Sequence, residues 1–212
     1  MKYEIFKEPF THIVIDDWLP WVHLLQVTNS VTALVPSLKV SKVNSDQGIV
    51  VSPNSKSSKN LWLFQAYQNK QVEFNLPAFI EGKIWSPEIK KILKDTQDSL
   101  FQTALYTDTS QMLLSKYANG DHYSWHRDYN PTITMNLMLA REPLDFTGGD
   151  FVFGDWENKI VKKTIPFKNN RLVIFPSRVF HCVTPVSKKI ANNLTDRFTI
   201  QYWTKLKDTR EV

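Results

Sequence analysis

The chain has 212 residues, 42% of them hydrophobic and 13% aromatic, enough to fill one buried core in a single domain spanning 1–212. Its formal charge of +5 is a mild basic excess carried by scattered lysines, with pairs at Lys90-Lys91, Lys162-Lys163 and Lys188-Lys189, so charge alone does not demand a polyanionic partner. The sequence holds no apolar run of membrane-spanning length, Met1–Ile5 lacks the apolar stretch of a secretory leader, and the single cysteine, Cys182, excludes an internal disulfide; a cytoplasmic protein with no membrane association is expected.

In chain order, Glu4–Asp16 reads as one or two short strands around Ile13-Val14-Ile15. A helix is expected from about Leu19, with Pro20 suited to its first turn. Val35–Asn60 turns polar and rich in Ser, Asn and Lys, and reads as a mobile loop or insertion bordering the substrate pocket. Ser86-Pro87-Glu88 is a helix start: a capping serine, a proline at the first helical position, then an acid near the positive end of the helix dipole. Apolar residues at Ile89, Ile92, Leu93, Leu100 and Ala104 extend one buried face from it.

After Thr109 the texture changes. Short apolar or alternating runs follow at Met112–Tyr117, Ile133–Leu139, Asp150–Phe153, Lys163–Phe167, Arg171–Phe175, Val179–Val183 and Arg197–Trp203, separated by turn residues such as Asn119-Gly120 and Lys168-Asn169-Asn170. Short strands at this spacing indicate a sandwich or barrel. The expected class is α+β and mainly β, with supporting strands and helices over 1–108 and a β core over about 109–205.

Five histidines are present, and His126 alone is followed two residues later by a carboxylate, Asp128. On an extended segment, residues i and i+2 point to the same side and reach one ion. His181, in another predicted strand, is the best third ligand. Two imidazoles and a carboxylate on one octahedral face suit iron(II) and leave positions open for a keto acid and dioxygen. A keto acid bound at one end carries a distal carboxylate that needs a fixed cation, and arginine's planar fork fits it best. Arg197 opens a strand whose alternation places Arg197, Thr199, Gln201 and Trp203 on one face.

Four blocks in register then resemble the 2-oxoglutarate/Fe(II) dioxygenases, most closely the prolyl 4-hydroxylase-like branch. They are Leu114–Gly120 leading to His126-Arg127-Asp128, Gly148-Gly149-Asp150-Phe151, Leu172–Ser177 running into His181–Val186, and Arg197–Trp203. The resemblance covers about Gln111–Trp203. It implies a double-stranded β-helix (jelly roll) with N-terminal helices packed on one side. It also implies Fe(II) held by His126, Asp128 and His181, with Arg197 gripping 2-oxoglutarate, helped by Tyr117 and Thr199. Asn136 or Met138 would add a further co-substrate contact. Dioxygen is the second co-substrate and ascorbate a possible reductant.

The implied reaction hydroxylates a C–H bond with release of succinate and carbon dioxide. The expected acceptor is a prolyl residue of a peptide or protein, with a free amino acid or small metabolite as alternative. An AlkB-like nucleic-acid demethylase is a second alternative; no run of clustered basic and aromatic residues suits a flipped base. A zinc site on His122 and His126 is disfavoured because Tyr123 stands where a glutamate base belongs. A non-catalytic jelly-roll binding module is the last alternative. Tyr129, Trp125 and Trp156 are candidates for the substrate entrance. The long turn 187–193 separates His181 from Arg197, so Lys188 or Lys189 is the fallback cation, and Asp196 a candidate partner for Arg197.

Overall fold

The computed structural model describes residues 1–45, 48–68, 74–129, 131–155, 157, 160–189 and 196–205. Trp156 and residues 190–193 of the long turn, named above, lie outside them. A hairpin of β1 (Lys2–Phe6) and β2 (His12–Asp16) leads to helix α1 (Trp21–Ala33). Pro20 is the N-cap of α1, one position ahead of the expected first turn. Short strands β3 (Lys39–Val40), β4 (Val43–Ser45), β5 (Gly48–Val50) and β6 (Lys59–Trp62) follow. The stretch read as a loop therefore contains sheet: β6 pairs with the first core strand, and Ser41, Lys56 and Ser58 are buried. Ser41, Ser58 and Asn60 hydrogen-bond one another instead of facing water, which composition does not reveal.

Helices α2 (Leu63–Tyr67), α3 (Leu76–Ile84), α4 (Pro87–Asp95) and α5 (Ser99–Ala104) complete the first half. Ser86 caps α4 by accepting from Ile89 N, as its sequence suggests. The expected continuous helix to Ala104 breaks instead. Gln97 takes a left-handed backbone (φ 56°), Asp98 caps α5 through Leu100 N, and the register shifts so that Phe101 is buried and Leu100 exposed.

The second half holds β7 (Thr109–Tyr117), β8 (Tyr123–His126), β9 (Ile133–Leu139), β10 (Phe146–Gly148), β11 (Phe151–Gly154), β12 (Val161–Ile165), β13 (Arg171–Pro176), β14 (His181–Val183), β15 (Val186–Lys188) and β16 (Arg197–Lys205). One antiparallel sheet runs β1-β2-β13-β9-β16-β7-β6-β3. Opposite it stand β12-β11-β14-β8 and the pair β10-β15. This is a jelly roll whose sheets remain open at their edges.

Alternation sorts the large sheet cleanly. Ile13, Leu172, Ile174, Met135, Leu137, Phe198, Ile200 and Leu114 face outward into a cluster with Leu24 and Val27 of α1, Ile80 of α3, Ile92 of α4 and Phe101 of α5. The residues between them face the other sheet. Val173, Phe175, Met138 and Tyr117 join Phe151, Phe153 and Val183 in a second, smaller cluster. The helices cover one face, and the other is left to line a site.

Candidate active site

β8 and β14 are paired so that His126 stands directly opposite His181, with ring centres 4.1 Å apart. Asp128 follows just beyond the end of β8, its N–H donating to Ser177 O at 3.0 Å. One ligand atom from each of His126, Asp128 and His181 lies within 4.8 Å of the others. The two residues adjacent in sequence and the one remote from them thus meet at one point.

The surroundings prepare these atoms. His126 Nδ1 donates to Ser124 O at 2.8 Å and His181 Nδ1 to Val179 O at 2.7 Å, which fixes both tautomers with Nε2 bearing the lone pair. Burial, and then the neighbouring imidazole, hold His126 well below 6.5; burial lowers His181 against the raising pull of Asp128. Both rings are therefore neutral and ready to coordinate. Asp128 is oriented through one oxygen: Oδ2 accepts from Trp203 Nε1 at 2.8 Å and from Thr134 Oγ1 at 3.1 Å.

On the inner face of the large sheet lies a polar group with unmet valences. Arg197 is fully buried, Nε donates to Gly149 O at 2.7 Å, and Nη1 and Nη2 meet no hydrogen-bond partner among the described residues. Tyr117, its register neighbour on β7, lies under the guanidinium, 4.6 Å from ring centre to Cζ. Tyr117 OH, Thr199 Oγ1 and both amide atoms of Asn136 are likewise buried without hydrogen-bond partners among the described residues. Burial pulls Arg197 down to about 10, which leaves it a cation at neutral pH. Leaving these donors unsatisfied costs roughly 1–3 kcal/mol each and more for the charged one, so the set fits a bound carboxylate. Met138, two residues from Asn136, faces the same interior but packs in the apolar cluster.

Residues 112–205 match the family model of the 2OG-Fe(II) oxygenase superfamily. That stretch carries all three candidate ligands and Arg197, and its order of strands is that of the jelly roll just described. The chain is similar to the PKHD-type hydroxylase YbiX of Escherichia coli, 24% identical over 136 residues, covering 58% of this chain and 59% of that protein. It thus spans little more than half the length of that relative. Its fold is similar to a prolyl-4-hydroxylase of Pseudomonas putida (TM-score 0.63, 14% identity, 92% of each chain) and to OsALKBH1 (TM-score 0.58, 12% identity, 95% of this chain and all of that one). The fold is common to both structures and does not choose between them.

Beside the His–Asp–His cluster opens a cavity of about 560 Å³, walled by His126, Asp128, Trp125, Tyr123, Gln201 and Trp203 together with Lys42, Lys56 and Trp62. Of the expected entrance aromatics, Trp125 stacks on Phe180 and Tyr129 stands 62% exposed at the mouth. The basic and aromatic residues missing as a run in sequence are assembled here by the fold: Lys42, Arg127, Trp62, Tyr129 and Trp203.

Sequence reasoning missed Lys56 altogether. It bridges to Tyr123, its Nζ sits 4.3 Å from the centre of the Tyr123 ring, and that ring stacks on His126 at 3.5 Å. Burial pushes Lys56 down to about 8, opposed by Asp128. Nothing in the polar run around it marks this lysine apart from its neighbours.

Other candidates fall away. His122 faces Ser57 and Asn54, outside the ligand cluster. His12 is packed among Phe6, Phe10 and Phe153, and His23 against Phe79. Asp196 does not serve Arg197: it is buried between Lys116 Nζ (2.6 Å) and Lys188 Nζ, which also removes Lys188 as the fallback cation.

Proposed function

We propose that this protein is an Fe(II)- and 2-oxoglutarate-dependent dioxygenase that hydroxylates a C–H bond, the acceptor being a prolyl residue of a peptide or protein. The observation that carries this reading is a His–Asp–His cluster with neutral imidazoles at β8 and β14 of one sheet, together with a buried arginine on β16 of the other whose two terminal nitrogens lack hydrogen-bond partners among the described residues. His126, Asp128 and His181 would hold the iron. Arg197, Tyr117 and Thr199 would take the distal carboxylate of 2-oxoglutarate, with Asn136 alongside. When bound, iron with 2-oxoglutarate and dioxygen supplies the oxidising power, one oxygen atom passing to the substrate and the other to succinate as carbon dioxide leaves.

The protein's own residues set the conditions. Neutral imidazoles offer Nε2 without first losing a proton. Trp203 and Thr134 hold Asp128 through Oδ2, the oxygen that stands 4.0 Å from His181 Nε2. Phe151 and Phe175 pack 5.1 Å from the His181 ring and keep water from its buried side. Gln201 and Trp203 carry the inner face of β16 out into the cavity, where an acceptor C–H would lie. The buried, reduced Cys182 suits a cytoplasmic setting.

The test is succinate release from 2-oxoglutarate by Fe(II)-loaded protein, with ascorbate as reductant, first alone and then with a peptide library. Uncoupled release that Arg197→Met abolishes is expected, with stimulation by prolyl peptides. Absence of release from folded, iron-loaded protein sinks the enzyme reading in favour of a binding module. A second reading, demethylation of nucleic acid, is favoured by the basic and aromatic mouth, and stimulation by methylated single-stranded DNA rather than by peptides would select it.

A further inference from the structure

Lys56 holds a position that neither the iron nor 2-oxoglutarate accounts for. It is 4% exposed, lies in the wall of the cavity beside Asp128 and His126, and has no ion-pair partner among the described residues. A built polar bed supports it. The Asn60 amide, with its oxygen turned toward Lys56, accepts from Nζ at 3.1 Å and gives its NH₂ to Ser115 Oγ at 2.9 Å. Ser41 and Ser58 close the network at 2.9 Å. A neutral amide and an aromatic face orient an ammonium without neutralising it.

Charge complementarity then points outward. The carboxylate that acts on Lys56 is Asp128, and the metal claims that charge once it binds. The co-substrate dianion is matched by Arg197 and by the excess positive charge of the metal over Asp128. Lys56 is left as a buried cation facing a space meant for substrate, and a buried cation demands an anion. We infer that Lys56 binds a carboxylate of the substrate, so that the preferred acceptor is a free amino acid or a chain-terminal residue. This rests on the proposed oxygenase function and keeps its chemistry, but moves the acceptor from an internal prolyl residue to one that carries its own carboxylate. The carboxylate would lie against Tyr123, the ring that also stacks on His126, which brings the adjacent carbon atoms close to the metal ligands.

Binding decides it without turnover. Protein loaded with Mn(II) and N-oxalylglycine is titrated with matched pairs: each free amino acid against its amide, and acetyl-glycyl-proline against its C-terminal amide. The readout is the broadening of ligand proton resonances by the metal. At least one acid is expected to bind roughly tenfold or more above its amide, the usual worth of a buried charged hydrogen bond. Lys56→Met should erase that preference and Lys56→Arg keep most of it. The 2-oxoglutarate affinity of Lys56→Met should stay within about twofold of wild type, which also certifies its fold. Equal binding across every pair overturns the inference, as does a preference that survives Lys56→Met. A loss of 2-oxoglutarate affinity in that variant overturns it too, by assigning the lysine to the co-substrate. If wild-type protein binds Mn(II) but no 2-oxoglutarate, the proposed function falls first, an outcome separate from the acid–amide comparison.

Discussion

Asp128 shows how much of this site is set by residues that touch no ligand. Both hydrogen bonds it receives fall on Oδ2, one from the last core strand and one from β9. Removing such a support typically costs 10–100-fold in metal affinity. Trp203→Phe should therefore weaken Mn(II) binding by about that factor, measured by titration, with little change in fold; an unchanged affinity would remove Trp203 from the site. The buried histidines give a second expectation. His126, His181 and His12 all have pKa values lowered from 6.5 in the folded state, so the unfolded chain takes up protons first as pH falls through 6.5. Stability of the metal-free protein is then fully present above that pH and declines below it. Urea midpoints at pH 7.5 and 5.5 check the sign, and His126→Gln with His181→Gln should flatten the slope. At this scale the convergence of the three candidate ligands was legible because chemistry restricts metal ligands to few residue types at fixed spacing. Lys56 was not, because a lysine in a polar stretch looks the same whether it ends in water or in a cavity.

Between β10 and β11 the chain turns through Gly148 (φ 70°) and Gly149 (φ 68°), a backbone region that residues with a Cβ rarely adopt. A Cβ on Gly149 would lie 2.4 Å from Arg197 Cδ, and the Gly149 carbonyl anchors Arg197 Nε. Gly149→Ala should displace the guanidinium and weaken 2-oxoglutarate binding by roughly tenfold or more, read by calorimetry on Mn(II)-loaded protein. Wild-type affinity in that variant would show that the turn does not set the arginine. The elements legible in sequence were those whose period is unambiguous, above all β16, where every second residue faces the site. The failures were local. Gln97 breaks a helix whose apolar spacing would have tolerated continuation, and β6 hides in Lys59-Asn60-Leu61-Trp62, where pairing with β7 supplies the order that side-chain pattern does not.

The matched stretch does not supply the whole of its sheet. β13 borders β2, and β7 borders β6, so strands from the first 62 residues flank the core strands on both sides. Helices α1, α3, α4 and α5 cover the outward apolar face. A fragment of residues 109–205 would carry every candidate ligand yet bare that face and two strand edges, and it should aggregate on size-exclusion chromatography. A monodisperse fragment with native circular dichroism would refute this. Jelly-roll architecture was readable from the rhythm of the second half, but the interleaving of the first half was not, since pairing partners far apart in sequence leave no local trace.

That interleaving also fixes a timetable for synthesis. The hairpin β1-β2 emerges early from the ribosome but finds its neighbour β13 only after Pro176 has been added, and Trp18 and Leu19 wait as long for Asn170. One edge of β2 must stay unpaired until β13 has been made, so a holdase that shields it should raise the yield of native protein more than one acting after release.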